Sequence, residues 1–203
     1  MAETDAHTSG REPRLQRVLA EIDAANAHDP SRATFAGAAQ PRALIEGQRA
    51  HAWVLQIQPE ASEALQIAAR AHHLRRWEVE RSSYPRTREG YLAWRTYLYD
   101  FHGRAAGELM QAAGYPEETQ RRVAELLQKR AVKRDPEAQT HEDAVSLAFL
   151  ELRLSAFLEG VTEEQATRAL RRTWTKMSPA GREAALSLGL DERAADAVKR
   201  ALS

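Results

Sequence analysis

Residues 68–78 read AARAHHLRRWE and continue a helical pattern that is rich in alanine and leucine. Adjacent side chains on an α-helix point about 100° apart, so His72 and His73 are not expected to share one narrow face. Both could still approach one metal ion or one anion if this helix runs through the middle of a bundle. Imidazole is a good ligand for zinc and iron, and it titrates near neutral pH. The pair is therefore the first candidate for a site.

Helical spacing of apolar residues continues on both sides of this stretch. No β-branched run alternates between turn residues, so no strand is predicted. We expect residues 1–12 to be a disordered, polar tail and residues 13–203 to form one compact all-α domain of about eight or nine helices. Residues 31–40 are predicted to be an ordered loop, and residues 78–89 a candidate binding loop. The predicted helices cover residues 15–27, 41–57, 59–77, 90–113, 116–131, 140–157, 162–177, 179–188 and 191–202.

The composition excludes several classes of protein. Lys+Arg and Asp+Glu are both 29 in 203 residues, and this balance argues against bulk electrostatic binding to nucleic acid or an anionic membrane. The absence of cysteine excludes disulfides and thiolate metal sites. No apolar run approaches the roughly 18 residues that span a bilayer, and the first residues lack a signal-peptide pattern. We expect a soluble, cytoplasmic protein.

Several polar residues fall on predicted core faces. His102 and Arg95 share a stripe with Leu98, which suggests either a packed histidine with a structural ion pair or a site for an anion. Glu46 lies on an apolar face with Trp53, where it would pair with an arginine or act as a ligand.

A later helix adds two carboxylates. Asp143 aligns with Leu147, although Thr140 and Asp143 also resemble a capping box at a helix start. Glu142 points to another face of the same helix. Histidines or carboxylates on the core faces of four helices are typical of metal sites in helical bundles.

The order of these groups resembles the HD metallohydrolase superfamily, whose all-α members bind metals with a histidine, a His-Asp pair and a later aspartate. His51, the pair His72-His73 and Asp143 follow in that order, with His102 between. The resemblance implies an HD-like helical bundle. The second residue of the central pair is His73 rather than the aspartate that bridges metals in the family, so the resemblance does not extend to a binuclear site.

The chain more closely resembles an uncharacterised family, domain of unknown function 4202, from about Leu15 to Leu190. The matching blocks are residues 67–73 with Arg76-Trp77, Tyr84-Pro85, Gly90-Tyr91 with Trp94-Arg95, Phe101-His102, residues 135–143 and residues 173–178. In that family's pattern His73 is the fixed histidine, whereas His72 and His51 occupy variable positions. The resemblance therefore implies a metal-ligand set of Glu46, His73, His102 and Asp143.

The candidate ligands and these resemblances predict a metal-dependent hydrolase of a phosphorylated small molecule or nucleotide. An iron-dependent oxygenase built on the same ligands is a lesser variant of this prediction. A divalent ion, with zinc, iron and manganese all plausible, would lower the pKa of bound water. Glu142 and Arg95 are the candidate catalytic residues. Guanidinium groups fit phosphate bidentately, and the candidate substrate-binding residues are Arg70, Arg76, Arg81, Tyr84 and Lys176.

Two alternatives stay open. A non-catalytic helical module would bind RNA or another anionic partner through Arg75, Arg76, Arg81 and Arg86 with Trp77 and Tyr84. The zero net charge weighs against nucleic acid. A helical interaction protein without a pocket would instead use the same polar groups as internal salt bridges.

Overall fold

The computed structural model describes residues 11–129 and 132–202, and in these ranges almost all regular structure is helical. The predicted single all-α domain is confirmed. None of the described helices combines the length and the apolar character that crossing a membrane would require. The helices are α1 (Arg11–Asn26), α2 (Arg42–Ile57), α3 (Glu63–Ala71), α4 (Arg88–Ala112), α5 (Glu117–Leu127), α6 (Pro136–Glu159), α7 (Glu163–Lys176), α8 (Pro179–Leu186) and α9 (Glu192–Leu202).

A short hairpin stands where the sequence predicts a loop. Strands β1 (Arg32–Phe35) and β2 (Ala38–Pro41) pair antiparallel, with Arg32 opposite Pro41. Their turn places Ala36 and Gly37 at positive φ, 50° and 79°, as hairpin turns with two central residues often require. The strands are four residues each and contain little β-branched sequence, so the prediction of no strand was wrong here.

Helix α6 occupies the middle of the domain, because it is apolar on several faces and contacts α2, α3, α7, α8 and α9. Leu147 and Leu154 are 0% and 1% exposed. Burial of each such side chain contributes about 1.5–3 kcal/mol. Residues of α6 therefore face the interior between the N-terminal and C-terminal helices.

The start of α6 differs from the prediction. Asp135 caps the helix, since its Oδ1 accepts from the backbone nitrogens of Glu137 and Ala138 at 3.0 and 3.3 Å. Thr140 donates to the carbonyl of Pro136 within the helix. The predicted capping box of Thr140 and Asp143 was wrong, because the helix begins a turn earlier. Residues 1–10 of the predicted tail lie outside the described ranges, and residues 11 and 12 already belong to α1.

Helices α2 and α3 approach closely at Gly47. A Cβ at this position would lie 2.5 Å from the carbonyl oxygen of Arg70. Only glycine permits this separation of the two backbones. The contact brings Glu46, the residue before Gly47, beside the C-terminal end of α3.

Candidate functional site

His72 and His73 lie on the turn after α3 and not inside a helix. The helix ends at Ala71, and Arg75 takes a left-handed conformation with φ 54°. The backbone nitrogen of Arg75 donates to the Asn26 side chain at 3.2 Å. Because the helix has ended, the two imidazoles lie together, with ring centroids 4.2 Å apart. The prediction that helical geometry separates them was wrong.

Glu46 completes a group with this pair. One ligand atom from each of Glu46, His72 and His73 lies within 4.8 Å of the other two. Glu46 and His72 are 4% and 8% exposed. Such a buried group of one carboxylate and two imidazoles could hold a metal ion.

Both oxygens of Glu46 already have partners. Its Oε2 is 2.5 Å from His73 Nδ1, and its Oε1 accepts from Arg153 at 2.9 Å. The carboxylate on the apolar face of α2 is thus paired with an arginine, one of the two alternatives that the sequence leaves open. The bond to His73 fixes the orientation of that ring.

The end of α3 also orients the other histidines around the turn. The last carbonyls of a helix have no partner within the helix. His72 Nδ1 is 2.9 Å from the Ala69 oxygen, and His141 Nε2, from α6, is 3.3 Å from the Ala68 oxygen. His102 Nδ1, from α4, is 2.8 Å from the Leu74 oxygen.

Each of these bonds has a consequence for the tautomer of the ring. A carbonyl only accepts, so the bonded ring nitrogen carries the proton and the other nitrogen keeps a free electron pair. Histidines that bind metals are usually held by an N–H bond of this kind to a carbonyl or carboxylate.

All four rings are neutral at neutral pH. Burial, and then the repulsion that would arise if the neighbouring His73 ring were also protonated, hold the pKa of His72 well below its ordinary value of 6.5. Burial and the charge of Arg76 do the same to the pKa of His73. Burial lowers the pKa of His102 and of His141 to about 4. Neutral imidazole is the form that binds metals.

Three of these histidines, His72, His73 and His141, border a cavity of about 200 Å³. Helices α4, α5 and α6 and the turn after α3 form its walls. Three cationic side chains and several aromatic rings face it together with three of the histidines. The lining residues that matter here are His72, His73, His141, Arg76, Arg95, Lys129, Tyr91, Trp94 and Tyr99.

The two arginines of the cavity are held by aromatic rings. Arg76 lies 4.6 Å from the centroid of the Trp94 ring. Arg95 donates to the hydroxyl of Tyr99 and lies 5.8 Å from the centroid of the Tyr91 ring. Across residues 11–129 and 132–202, neither guanidinium forms an ion pair with a carboxylate. Their charges are therefore available to an anion in the cavity.

Lys129 is positioned by Glu142. Its Nζ is 2.6 Å from Glu142 Oε2, and the other oxygen of Glu142 is 3.5 Å from Lys176 Nζ. Burial alone would raise the pKa of Glu142, but the charges of Lys129 and Lys176 outweigh it and hold that pKa below its ordinary value. The carboxylate is thus ionised and engaged by two ammonium groups. Glu142 itself is not among the cavity residues.

Asp143 points away from the histidines. Its carboxylate accepts from the backbone nitrogen and the hydroxyl of Ser178 at 2.9 and 2.5 Å, and from Gln139 Nε2 at 3.0 Å. A Cβ on Gly181 would lie 2.6 Å from the carboxyl carbon of Asp143. The structure therefore places this predicted ligand at the start of α8 and not with Glu46 and His73.

His102 lies close to the histidine pair but outside the cavity. Its ring centroid is 6.2 Å from that of His73, and it is not one of the lining residues. The sequence assigned no role to His141, although it is the α6 residue that reaches the site. The available signal was its helical spacing from Val145, which also lines the cavity.

The remaining predicted substrate-binding residues lie elsewhere. Arg70 forms a bidentate pair with Asp23 at 2.6 and 2.5 Å. Arg81 donates to the carbonyls of Tyr84 and Pro85, both at 2.8 Å. The Tyr84 ring packs near Tyr97, and Lys176 pairs with Glu142. His51, which the family pattern leaves outside the ligand set, hydrogen-bonds Gln66 at 3.2 Å.

The chain matches one known family, described as domain of unknown function (DUF4202), over residues 16–198. This match covers most of the chain, and the chain therefore belongs to that family. No curated protein and no solved structure matches it.

Proposed function

We propose that this member of the DUF4202 family is a metal-dependent hydrolase of a small phosphorylated compound. One observation carries the proposal: histidines suited to a metal face the same cavity as two arginines that form no ion pair with a carboxylate among the described residues. His72, His73, Arg76 and Arg95 line this cavity, and Lys129, which also lines it, is paired with Glu142. Two sets of groups with different chemical preferences thus meet in one small space.

The donor set fits a transition metal ion. Imidazole nitrogen suits zinc, iron, copper and nickel, whereas manganese and magnesium favour oxygen ligands. Neutral rings that are fixed by N–H bonds need no proton release or reorientation before binding. Zinc and iron are therefore favoured over manganese. A bound ion would lower the pKa of a coordinated water and polarise a phosphoryl oxygen.

The cations favour a phosphate group on the substrate. The guanidinium forks of Arg76 and Arg95 match the geometry and charge of a phosphate. Cavities for drug-sized ligands typically measure about 300–1,000 Å³, and this one is about 200 Å³. A phosphate with a few attached atoms therefore fits inside, and the base of a nucleotide would have to lie outside.

Metal analysis combined with activity measurement tests this function. The protein is purified without chelators, reconstituted with zinc or iron(II), and assayed for phosphate release from a panel of phosphorylated metabolites. We expect one ion per chain, and loss of both the ion and phosphate release after treatment with a chelator. Absence of stoichiometric metal after reconstitution would overturn the proposal. Oxygen consumption by the iron form, without phosphate release, would favour an oxygenase built on the same ligands.

Substitution of the cavity arginines gives a sharper comparison. We expect Arg76→Gln and Arg95→Gln to retain the ion and lose most phosphate release, because these side chains would bind the substrate and not the metal. Arg168→Gln is the matched control, since the Arg168 side chain is 60% exposed and its ion pair within the described residues is with Glu164 on α7. Equal activity of all three variants would contradict the assigned role of the cavity.

A second candidate is the non-catalytic module that binds RNA. Tyr84, Tyr97 and Phe101 lie in a row, with centroid distances of 6.5 and 6.3 Å, and Arg104 lies 5.7 Å from the Tyr97 ring. Aromatic rings beside arginines stack with single-stranded bases. However, Arg75 is held by Glu78 at 2.7 and 2.8 Å, which engages part of the predicted patch.

RNA binding at several salt concentrations tests this second candidate. Contacts to phosphates make affinity fall steeply with salt. Binding that weakens with salt and is lost in Tyr97→Ala, in protein that contains no metal, would support the module. Affinity that is unaffected by Tyr97→Ala would exclude this surface.

A further inference from the structure

Lys129 reaches the cavity from an unusual backbone position. It follows the C-terminal end of α5 with φ 55°, and its backbone nitrogen bonds to the Leu126 oxygen at 3.0 Å. This left-handed position after a helix usually holds glycine, because a residue with a Cβ is strained there. A lysine at such a position suggests that its side chain has a role that offsets the strain.

The ammonium group of Lys129 lies between the cavity and Glu142. Its Nζ is 2.6 Å from Glu142 Oε2, and Lys129 lines the cavity whereas Glu142 does not. Burial, and next the charge of Lys129, lower the pKa of His141 to about 4, so this charge acts on a histidine that borders the cavity. An ammonium group has three N–H donors. Among the described residues Nζ donates only to Glu142, which leaves two donors for a ligand.

Glu142 has a second cation in reserve. Its Oε1 is 3.5 Å from Lys176 Nζ, and the side chains of Glu142 and Lys176 are 6% and 53% exposed. A buried carboxylate that loses its last cation is strongly destabilising. If Lys129 turned to another anion, Lys176 would still pair with Glu142. The carboxylate can therefore release Lys129 without becoming an uncompensated buried charge.

We propose that Lys129 is a third anion-binding residue of the cavity, and that Glu142 positions it and competes with the substrate for it. When a phosphate binds beside Arg76 and Arg95, the Lys129 ammonium turns toward it while Lys176 keeps Glu142 paired. A phosphate monoester carries about −1.5 to −2 charge at pH 7 and the carboxylate only one, so the flexible lysine favours the phosphate. This inference rests on the phosphate site of the proposed function.

Such competition predicts that loss of Glu142 strengthens anion binding. Isothermal titration calorimetry with inorganic phosphate measures this on the zinc-loaded protein, and again after treatment with a chelator. We expect Glu142→Gln to bind phosphate about 5-fold or more tightly than the wild type. Lys129→Gly, in which glycine suits the left-handed backbone, should bind it about 5-fold or more weakly. Unchanged or weaker binding by folded Glu142→Gln would overturn the inference.

A double variant separates competition from a simple change of charge. Removal of a carboxylate near the cavity would favour an anion even if Lys129 took no part. We therefore expect Glu142→Gln to change the phosphate Kd by at most about twofold in the Lys129→Gly background, the range within which independent effects add. An equal gain with and without Lys129 would show that the lysine is not the group that Glu142 holds back.

Lys176 provides a test that leaves both residues in place. Lys176→Met leaves Glu142 with Lys129 as its cation, so Lys129 should be held more tightly and phosphate should bind more weakly. The matched control is Lys199→Met on α9, where the side chain is 78% exposed and pairs with Asp196 at 3.7 Å. It makes the same change of net charge and should bind phosphate as the wild type does. Equal Kd values for these two variants would overturn the inference, and this pair decides if Glu142→Gln does not fold.

Failure of this inference and failure of the proposed function give different results. Stoichiometric zinc and phosphate release, with a phosphate Kd that none of these variants alters, would overturn the role of Lys129 and leave the hydrolase intact. The expected shifts in a protein that binds no metal would support the role of Lys129 and remove the hydrolase. A wild-type protein that binds no phosphate in either form would overturn both.

Discussion

Replacement of Asp143 by alanine separates a structural role from metal binding. The carboxylate is 1% exposed and accepts hydrogen bonds from the backbone and hydroxyl of Ser178 and from Gln139. A hydrogen bond to a charged group is worth about 1.5–3 kcal/mol, and the bonds at one carboxylate are not additive. Ser178 and Gln139 are partly exposed, so water replaces some of the loss. We expect the free energy of unfolding to fall by about 3 kcal/mol, and Tm by about 6–12 °C for a chain of this size.

Urea unfolding followed by circular dichroism measures this change, and metal analysis of the same samples completes the assay. Zinc content of Asp143→Ala should equal that of the wild type at temperatures where both are folded. The control is Asp196→Ala, because Asp196 is half-exposed and its ion pair with Lys199 is an exposed contact at 3.7 Å. Its effect should stay within about 0.5 kcal/mol. A double-mutant cycle with Ser178→Ala should show a coupling energy of about 0.5–3 kcal/mol.

One combination of results would refute this reasoning. If Asp143→Ala keeps the wild-type urea midpoint but loses its zinc, then Asp143 is a ligand and the contact with Ser178 is incidental. Additive effects in the double-mutant cycle would likewise show that the two residues do not depend on each other.

Three further predictions concern the stability of the protein. Gly47→Ala should lower the free energy of unfolding in urea by about 1–3 kcal/mol, because the added Cβ overlaps a carbonyl of α3. Gly107→Ala is the control and should not destabilise the protein, since its nearest new contact is 3.8 Å away. The hydrogen bond from Arg122 holds the pKa of Asp135 below its ordinary value of 3.8, so its stabilisation is present above that pH and lost as the pH falls through the lowered pKa. Asp135→Asn, which keeps a helix cap, should flatten the dependence of the urea midpoint on acid pH, and an unchanged slope would contradict the pairing. Zinc at 100 times its Kd should raise stability by about 2.7 kcal/mol, a gain that a chelator removes and His73→Ala never shows; an equal gain in His73→Ala would place the ion elsewhere.

Periodicity predicted most of the fold because an amphipathic helix buries one face and leaves a regular spacing of apolar residues. The bounds of α2, α7 and α9 lie within one or two residues of the predicted ones. The end of α3 could not be predicted, since no glycine or proline marks it. It depends on the left-handed Arg75, whose backbone nitrogen bonds to Asn26 from α1. A contact between residues that are 49 positions apart leaves no local signal.

The site was predictable where a polar residue interrupts a clear apolar face. Glu46 stands out on α2 in this way, and the structure brings it to His73. Helix α6 is different because it is buried on several faces. The sequence therefore could not show that His141 lines the cavity whereas Asp143 does not. The contact of Asp143 with Ser178 spans 35 residues and was likewise hidden.

A histidine at position 73 has a physical reason in this structure. His73 Nδ1 donates a hydrogen bond to the carboxylate of Glu46. An aspartate at this position would bring two carboxylates together inside the protein, where like charges are costly. A glutamate at position 46 therefore requires a hydrogen-bond donor at position 73.

The carbonyls at the end of α3 restrict how this site can change during evolution. Ala68 and Ala69 present oxygens that His141 and His72 satisfy through their N–H groups. Ionised carboxylates and thiolates have no proton to donate. Exchange of either histidine for a side chain without a proton to donate would leave one of these carbonyls without its side-chain hydrogen bond, so the helix end itself favours residues with an N–H donor at these two positions.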